Sequence, residues 1–173
     1  MATKYRLQEV SLLNGKGVFF DANVLIYLFW PTGSYYYEQN YARVFKALLR
    51  QGNNLYVDFS IISEIVNRVL REEHKKLQLG MKLKEFRDSP EGQKVLSDIY
   101  LIIKSNILSK FCVIGKAFDK KDIDKFLVVD ELDFVDKATQ YICKVNSFVL
   151  LTNDKDFKNT DLDILTGNPQ ILN

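Results

Sequence analysis

Residues 17–28 read GVFFDANVLIYL. The run Val18–Phe20, β-branched and aromatic and just past a glycine, has the character of a strand buried on both faces. From Val24 the spacing turns helical, with Leu25, Leu28 and Phe29 on one face. Pro31 marks the stop of that helix. Asp21 therefore falls where a strand ends and a helix begins. Ligand sites of α/β proteins form at the carboxyl ends of parallel strands, so this aspartate is either a cap or a binding group.

On the N-terminal side, residues 1–16 read as a lead-in with a turn at Asn14–Gly15. On the other side, residues 31–40 form a loop rich in tyrosine (Tyr35, Tyr36, Tyr37), and a helix over 38–51 ends at Gly52. Leu55–Phe59 is a second strand. Ser60 is placed to cap a helix that carries Ile61, Ile65, Val66, Val69 and Leu70 at helical spacing. That helix runs into a charged segment broken at Gly80. Ser89–Pro90–Glu91 starts another helix, with a cap, a proline at the first position and an acid in the first turn. Phe111–Ile114 is a third strand and Ser147–Leu151 a fourth, with a helix over 131–145 between them that points Leu132, Val135 and Ile142 inward. Leu162–Leu165 is a short fifth strand. Strands separated by helices predict a parallel sheet with right-handed crossovers. The expectation is one domain over 1–173, with an extended helical, charged segment at about 72–110.

The chain has 173 residues, long enough for one domain with a substantial core. Its net charge of +2 is too small to argue for nucleic acid by itself. No apolar run approaches the ~20 residues of a membrane span, and MATKYRLQEV lacks the apolar core of a signal peptide. Cys112 and Cys143, without a CxxC, read as reduced, buried thiols. Together these features predict a cytoplasmic protein with no membrane contact. The only histidine, His74, lies in a charged run, which removes most support for a His-based triad or a zinc site.

Four acids occupy comparable places. Asp21 follows the first strand, Glu64 lies one turn into the helix after the second, Asp136 is near the start of the helix before the fourth, and Asp154 follows the fourth. If those strands are neighbours, the four carboxylates meet at one end of the sheet. Unpaired, they cannot all stay ionised there, because desolvation and repulsion both oppose it. A hard divalent cation with oxygen ligands, Mg²⁺ or Mn²⁺, resolves the conflict. Such an ion activates water and neutralises charge on a phosphodiester without help from histidine or cysteine.

FFDANVLIY, SIISEIVNR, DFVDKATQYI and LLTNDKDF, in that order, resemble the signature of the PIN-domain ribonucleases. The resemblance spans about residues 17–167. It implies a three-layer α/β/α fold with a five-stranded parallel sheet of order 3-2-1-4-5, and a Mg²⁺- or Mn²⁺-dependent endoribonuclease. Carried over by motif, Asp21, Glu64, Asp136 and Asp154 are the catalytic, metal-binding quartet, and Asp156 is an added acid of the same motif. Asn23 and Thr152 match polar positions that orient ligands or water. Many small members are VapC-like toxins of type II toxin–antitoxin pairs, which implies an RNA substrate and an antitoxin partner. The apolar faces of the helices over 60–78 and 89–109 exceed what one sheet covers and would serve a homodimer or an antitoxin helix. The chain differs from the compact toxins in the long interval between Glu64 and Asp136, where residues 72–110 hold the excess.

Each acid also has a plainer reading. Asp21 can cap the following helix, Glu64 can pair with Arg68 at i,i+4, Asp136 suits a first turn capped by Asp133, and Asp154 and Asp156 suit a turn. Four independent caps need not fall at strand ends in this order, which favours the joint reading. The alternative function is a non-catalytic PIN-like module that binds RNA or protein. A phosphatase of the haloacid-dehalogenase type also begins with an aspartate after its first strand, but it needs a second acid where this chain has Asn23. The basic run Arg68, Arg71, Lys75, Lys76, Lys82, Lys84 and Arg87 is interleaved with Glu72, Glu73 and Glu85. It reads first as a solvated helix face and second as a track for RNA phosphates.

Overall fold

A computed structural model describes residues 2–30, 33–77 and 80–173. Pro31 and residues 78 and 79, just before the expected break at Gly80, lie outside them. The elements in chain order begin with β1 (Lys4–Arg6), a 3₁₀ turn over Leu7–Leu13, β2 (Val18–Phe20), α1 (Ala22–Phe29), α2 (Tyr35–Gln51) and β3 (Leu55–Asp58). Next are α3 (Phe59–Leu77), α4 (Leu83–Asp88), α5 (Pro90–Ile102), β4 (Cys112–Ile114) and α6 (Lys120–Phe126). The chain closes with α7 (Phe134–Asn146), β5 (Val149–Leu151), β6 (Ile164–Thr166) and α8 (Pro169–Leu172).

All strands pair in parallel. Every residue of β2, β5 and β6 is buried, so both sheet faces are covered, in keeping with a three-layer α/β/α architecture. The expected strand count needs correction, and the full order with it: the five expected strands keep the order 3-2-1-4-5, and a sixth is added at the edge. The sheet has six strands, ordered β1-β6-β5-β2-β3-β4. The unforeseen strand is β1, read from sequence as part of a lead-in. It pairs with β6, Lys4 opposite Ile164, and the Thr3 N–H donates to Asp163 Oδ1 at 2.8 Å. Its one aromatic residue stands between two cations, so no apolar run announces it.

β2 lies between β3 and β5, with Val18 opposite both Leu55 and Val149. Because Phe20 is opposite Leu151, the residues that follow, Asp21 and Thr152, emerge side by side. Gly17 permits this central strand to start beneath a stacked Tyr56–Phe148 pair, whose ring centroids are 4.2 Å apart. A Cβ there would come within 2.7 Å of the Phe148 ring.

Four local readings change. Tyr35–Tyr37 form the first turn of α2 rather than a loop, and Tyr27 stacks between Tyr37 and Tyr41 at 5.3 and 5.8 Å. Phe59 belongs to α3, not to the preceding strand, and is 80% exposed. The cap of α3 is Asp58, not Ser60: Asp58 Oδ1 accepts from the Ile61 N–H at 2.9 Å and the Ser60 hydroxyl at 2.7 Å. Cys143 is buried, which pushes its thiol pKa up, whereas Cys112 is exposed, against expectation.

The 72–110 segment packs into the domain. Phe86 of α4, Leu96 and Ile99 of α5, and Ile103 and Ile107 of the π-helical turn that follows are all in the core. Ser89 caps α5 by accepting from the Gly92 N–H at 3.1 Å. Gly92 sits so close to α4 that a Cβ would stand 1.8 Å from the Phe86 carbonyl oxygen. That oxygen is backbone and cannot rotate away. Gly92→Ala is expected to destabilise the protein by about 2–3 kcal/mol, seen as a lower urea midpoint, because overpacking forces the backbone to shift.

Candidate active site

Asp21 continues the central strand. Its N–H donates to the Leu151 carbonyl at 3.0 Å and its carbonyl accepts from Leu25 at 3.2 Å, opening α1. Its side chain, 8% exposed, makes no capping bond to that helix. Oδ2 instead accepts from Asn23 Nδ2 at 2.6 Å and from the Thr152 hydroxyl at 2.5 Å. Asp58, the buried acid that ends β3, is the contrast: its carboxylate is spent on a helix cap.

Both partners of Asp21 are themselves fixed. Thr152, fully buried, accepts from the Asp154 N–H at 2.9 Å, and Asn23 Oδ1 accepts from the Asn153 N–H at 3.1 Å. Below them the buried Tyr41 hydroxyl donates to Asn153 Oδ1 at 3.0 Å and accepts from the Gly167 N–H at 3.1 Å. The carboxyl ends of β2, β5 and β6 are thus tied by one polar network. Sequence reading found Asn23 and Thr152 but not Tyr41, which shows in sequence only as one aromatic among many.

The remaining acids face the same opening, a cleft of about 510 Å³ lined by Asp21, Glu64, Asp133, Asp136, Asp154 and Asp156. Asp136 lies in the first turn of α7, where Asp133 accepts its N–H at 2.8 Å. Asp154 caps the 3₁₀ turn Lys155–Asn159 through the Asp156 N–H at 3.0 Å. Glu64 pairs with Arg68 at 2.9 Å. The plainer readings of Asp154, Glu64 and Asp136 are therefore real contacts, yet all three side chains also line the cleft. Sequence reading missed Phe59 and Ser63 on its wall and expected Val135, also there, to point inward; Val135 is 39% exposed.

The electrostatics follow from this crowding. Burial, with the charges of Glu64 and Asp154, pushes the Asp21 carboxyl up to about 6, against the opposing pull of the Thr152 hydroxyl and the nearby Ala22 N–H. Burial, then the charges of Asp133, Asp21, Asp154 and Glu64, pushes Asp136 up to about 7. Asp21 has no cationic partner among the described residues.

Among the described residues, no three acidic, histidine or cysteine side chains stand close enough together to hold a metal ion as placed. Like charges repel across the cleft, and Glu64 turns to Arg68. The donor set is nonetheless all hard oxygen around a buried, cation-free aspartate, which suits Mg²⁺ or Mn²⁺ and not a thiophilic ion. His74 is engaged elsewhere, with Nε2 2.7 Å from the Met81 carbonyl and its ring against Phe86. Among the described residues no helix is long and apolar enough to cross a membrane. No protein-family model matches the chain, and no curated protein matches it.

Proposed function

We propose that the chain is a PIN-like, Mg²⁺- or Mn²⁺-dependent endoribonuclease whose active site is the carboxylate cleft. The observation that carries this reading is Asp21, a buried carboxylate at the carboxyl end of the central strand. It opens on a cleft lined by five other acids and has only neutral partners.

In this reading Asp21, Asp136 and Asp154 are the main ligands, with Asp156 at the rim. Glu64 completes the set or positions the attacking water. The cation would lower the pKa of water and neutralise charge on the phosphodiester. Thr152 and Asn23 fix the Asp21 carboxylate in one orientation, so that its second oxygen faces the cleft. Arg68, now held by Glu64, becomes available to a phosphate oxygen when Glu64 turns inward. Thr152→Val removes one of those two orienting bonds. It is expected to weaken Mn²⁺ binding about 10–100-fold in a calorimetric titration, as loss of a ligand's hydrogen-bond partner does elsewhere.

The simplest setting for such an activity is a cytoplasmic toxin held silent by an antitoxin, acting as a homodimer. Exposed apolar residues on and after α5, Tyr100, Leu101 and Leu108, offer a surface for either contact. A second reading, a non-catalytic PIN-like module, draws on the Glu64–Arg68 pair and on the separation of the acids. Incubating a mixed RNA pool with the protein and Mg²⁺ or Mn²⁺, with EDTA as control, separates the two. Metal-dependent cutting supports the nuclease, and RNA binding without cutting supports the module.

A further inference from the structure

An acidic cleft repels phosphate, so a polyanionic substrate needs cations close by. A second groove supplies them. It lies between α1 and α3, has a volume of about 470 Å³, and shares Asn23, Arg68 and Arg71 with the cleft, so the two are continuous. Four cations face it, Arg68, Arg71, Lys75 and Lys76, against the two carboxylates Glu72 and Glu73. The lysines pair with those carboxylates at 2.8 and 2.7 Å on exposed turns, and exposed pairs of this kind are weak enough to be exchanged for phosphate. Arg71 is exposed and makes no ion pair among the described residues. The α1 wall is aromatic. Tyr27 is held in its tyrosine stack, and Trp30, half-buried, meets the edge of Phe29.

We propose that this groove is a nucleotide-binding subsite. An unpaired stretch of nucleic acid lies along α1 and α3, with a base stacked on Trp30 and flanking phosphates on Arg68, Arg71 and Lys75. The next phosphodiester then reaches the acidic cleft. Cations one helical turn apart, about 5.4 Å, can follow a sugar–phosphate backbone, and an aromatic wall takes base faces of any identity. The direction of the strand rests on the hydrolytic reading of the cleft; binding in the groove does not.

Trp30 is the only tryptophan in the chain, so its emission reports on ligands that reach this one side chain, and Arg71→Glu ties the response to this groove. The test is titration of the full chain, in EDTA, with a short oligouridylate. The expected result is saturable quenching that weakens as salt rises. Arg71→Glu is expected to weaken binding at least ~10-fold. Trp30→Ala should do so about tenfold by anisotropy of a labelled oligonucleotide, while Trp30→Phe, which keeps a stacking face, restores it. Unchanged emission, whether or not the labelled RNA binds elsewhere, overturns the subsite. So does an Arg71→Glu variant that binds normally, or equal quenching by polyglutamate, which would make the groove a site for acidic protein. Cleavage measured in parallel separates this inference from the nuclease reading. RNA cut without a Trp30 response removes the groove and keeps the nuclease; quenching without cutting does the reverse.

Discussion

Asp21→Asn is expected to abolish RNA cleavage and, in the same molecule, to raise the melting temperature of the metal-free protein at neutral pH. The first effect should be at least ~10²-fold, since even the partners of metal ligands are worth 10–100-fold. The second follows from burial. The Asp21 carboxyl is pushed from 3.8 to about 6, a shift whose linked cost at neutral pH is on the order of 3 kcal/mol. An asparagine keeps an acceptor for Asn23 and Thr152, but a neutral amide oxygen accepts more weakly than a carboxylate, so part of that gain is lost. A net stabilisation of about 1–2 kcal/mol, or ~2–8 °C, is expected by differential scanning calorimetry. A residue kept for packing or capping would behave oppositely, with activity retained and stability reduced.

The metal-free wild-type protein is expected to lose stability as pH rises from about 4 to 7, the reverse of ordinary acid denaturation. Asp21 and Asp136 have folded-state pKa values above the ordinary 3.8, about 6 and about 7. Below pH 4 both are protonated, folded or unfolded, and burial costs little. As pH rises, the unfolded chain ionises first, while the folded protein holds its protons until pH 6–7, so stability falls across that window. Mn²⁺ should cancel the fall, because it favours the ionised carboxylates and binds only the folded state. Urea midpoints measured across this range, with Mn²⁺ and with EDTA, test both the slope and its cancellation. Stability that rises from pH 5 to 7 in EDTA would mean that these acids are paired or solvated.

The interior of the sheet was legible because its strands are buried on both faces. Val18–Phe20 and Val149–Leu151 must then be unbroken apolar runs, and such runs stand out. The edge was not. Lys4–Arg6 is held by its ladder to β6 and by Thr3 on Asp163, which are contacts made across the whole chain length. Phe59 misled for a related reason: an aromatic after Leu55–Asp58 continues a strand pattern, but the Asp58 cap starts the helix there. Caps are set by which side-chain oxygen reaches which N–H, and both Asp58 and Ser60 are suitable by type.

The site was legible in its members and not in its geometry. Asp21 and Asp154 directly follow strands, and Glu64 and Asp136 lie within the first two turns of helices, a placement that sequence order reveals once the elements are known. That Asp21 is held by Thr152 rather than by its own helix depends on the pairing of β2 with β5, 131 residues apart at the bond itself. That Glu64 is turned toward Arg68 depends on side-chain choice within one helix face, where sequence leaves the pair and the cleft equally open.

A metal centre formed by these carboxylates underlies the proposed nuclease. Calorimetric titration of the purified protein with Mn²⁺ near neutral pH tests it most directly, beside Asp21→Asn. Saturable binding in the wild type, accompanied by proton release from Asp21 and Asp136 and lost in Asp21→Asn, is the predicted result. No binding to the wild type, or an unchanged isotherm in Asp21→Asn, would contradict it and leave the acids as caps and ion-pair partners.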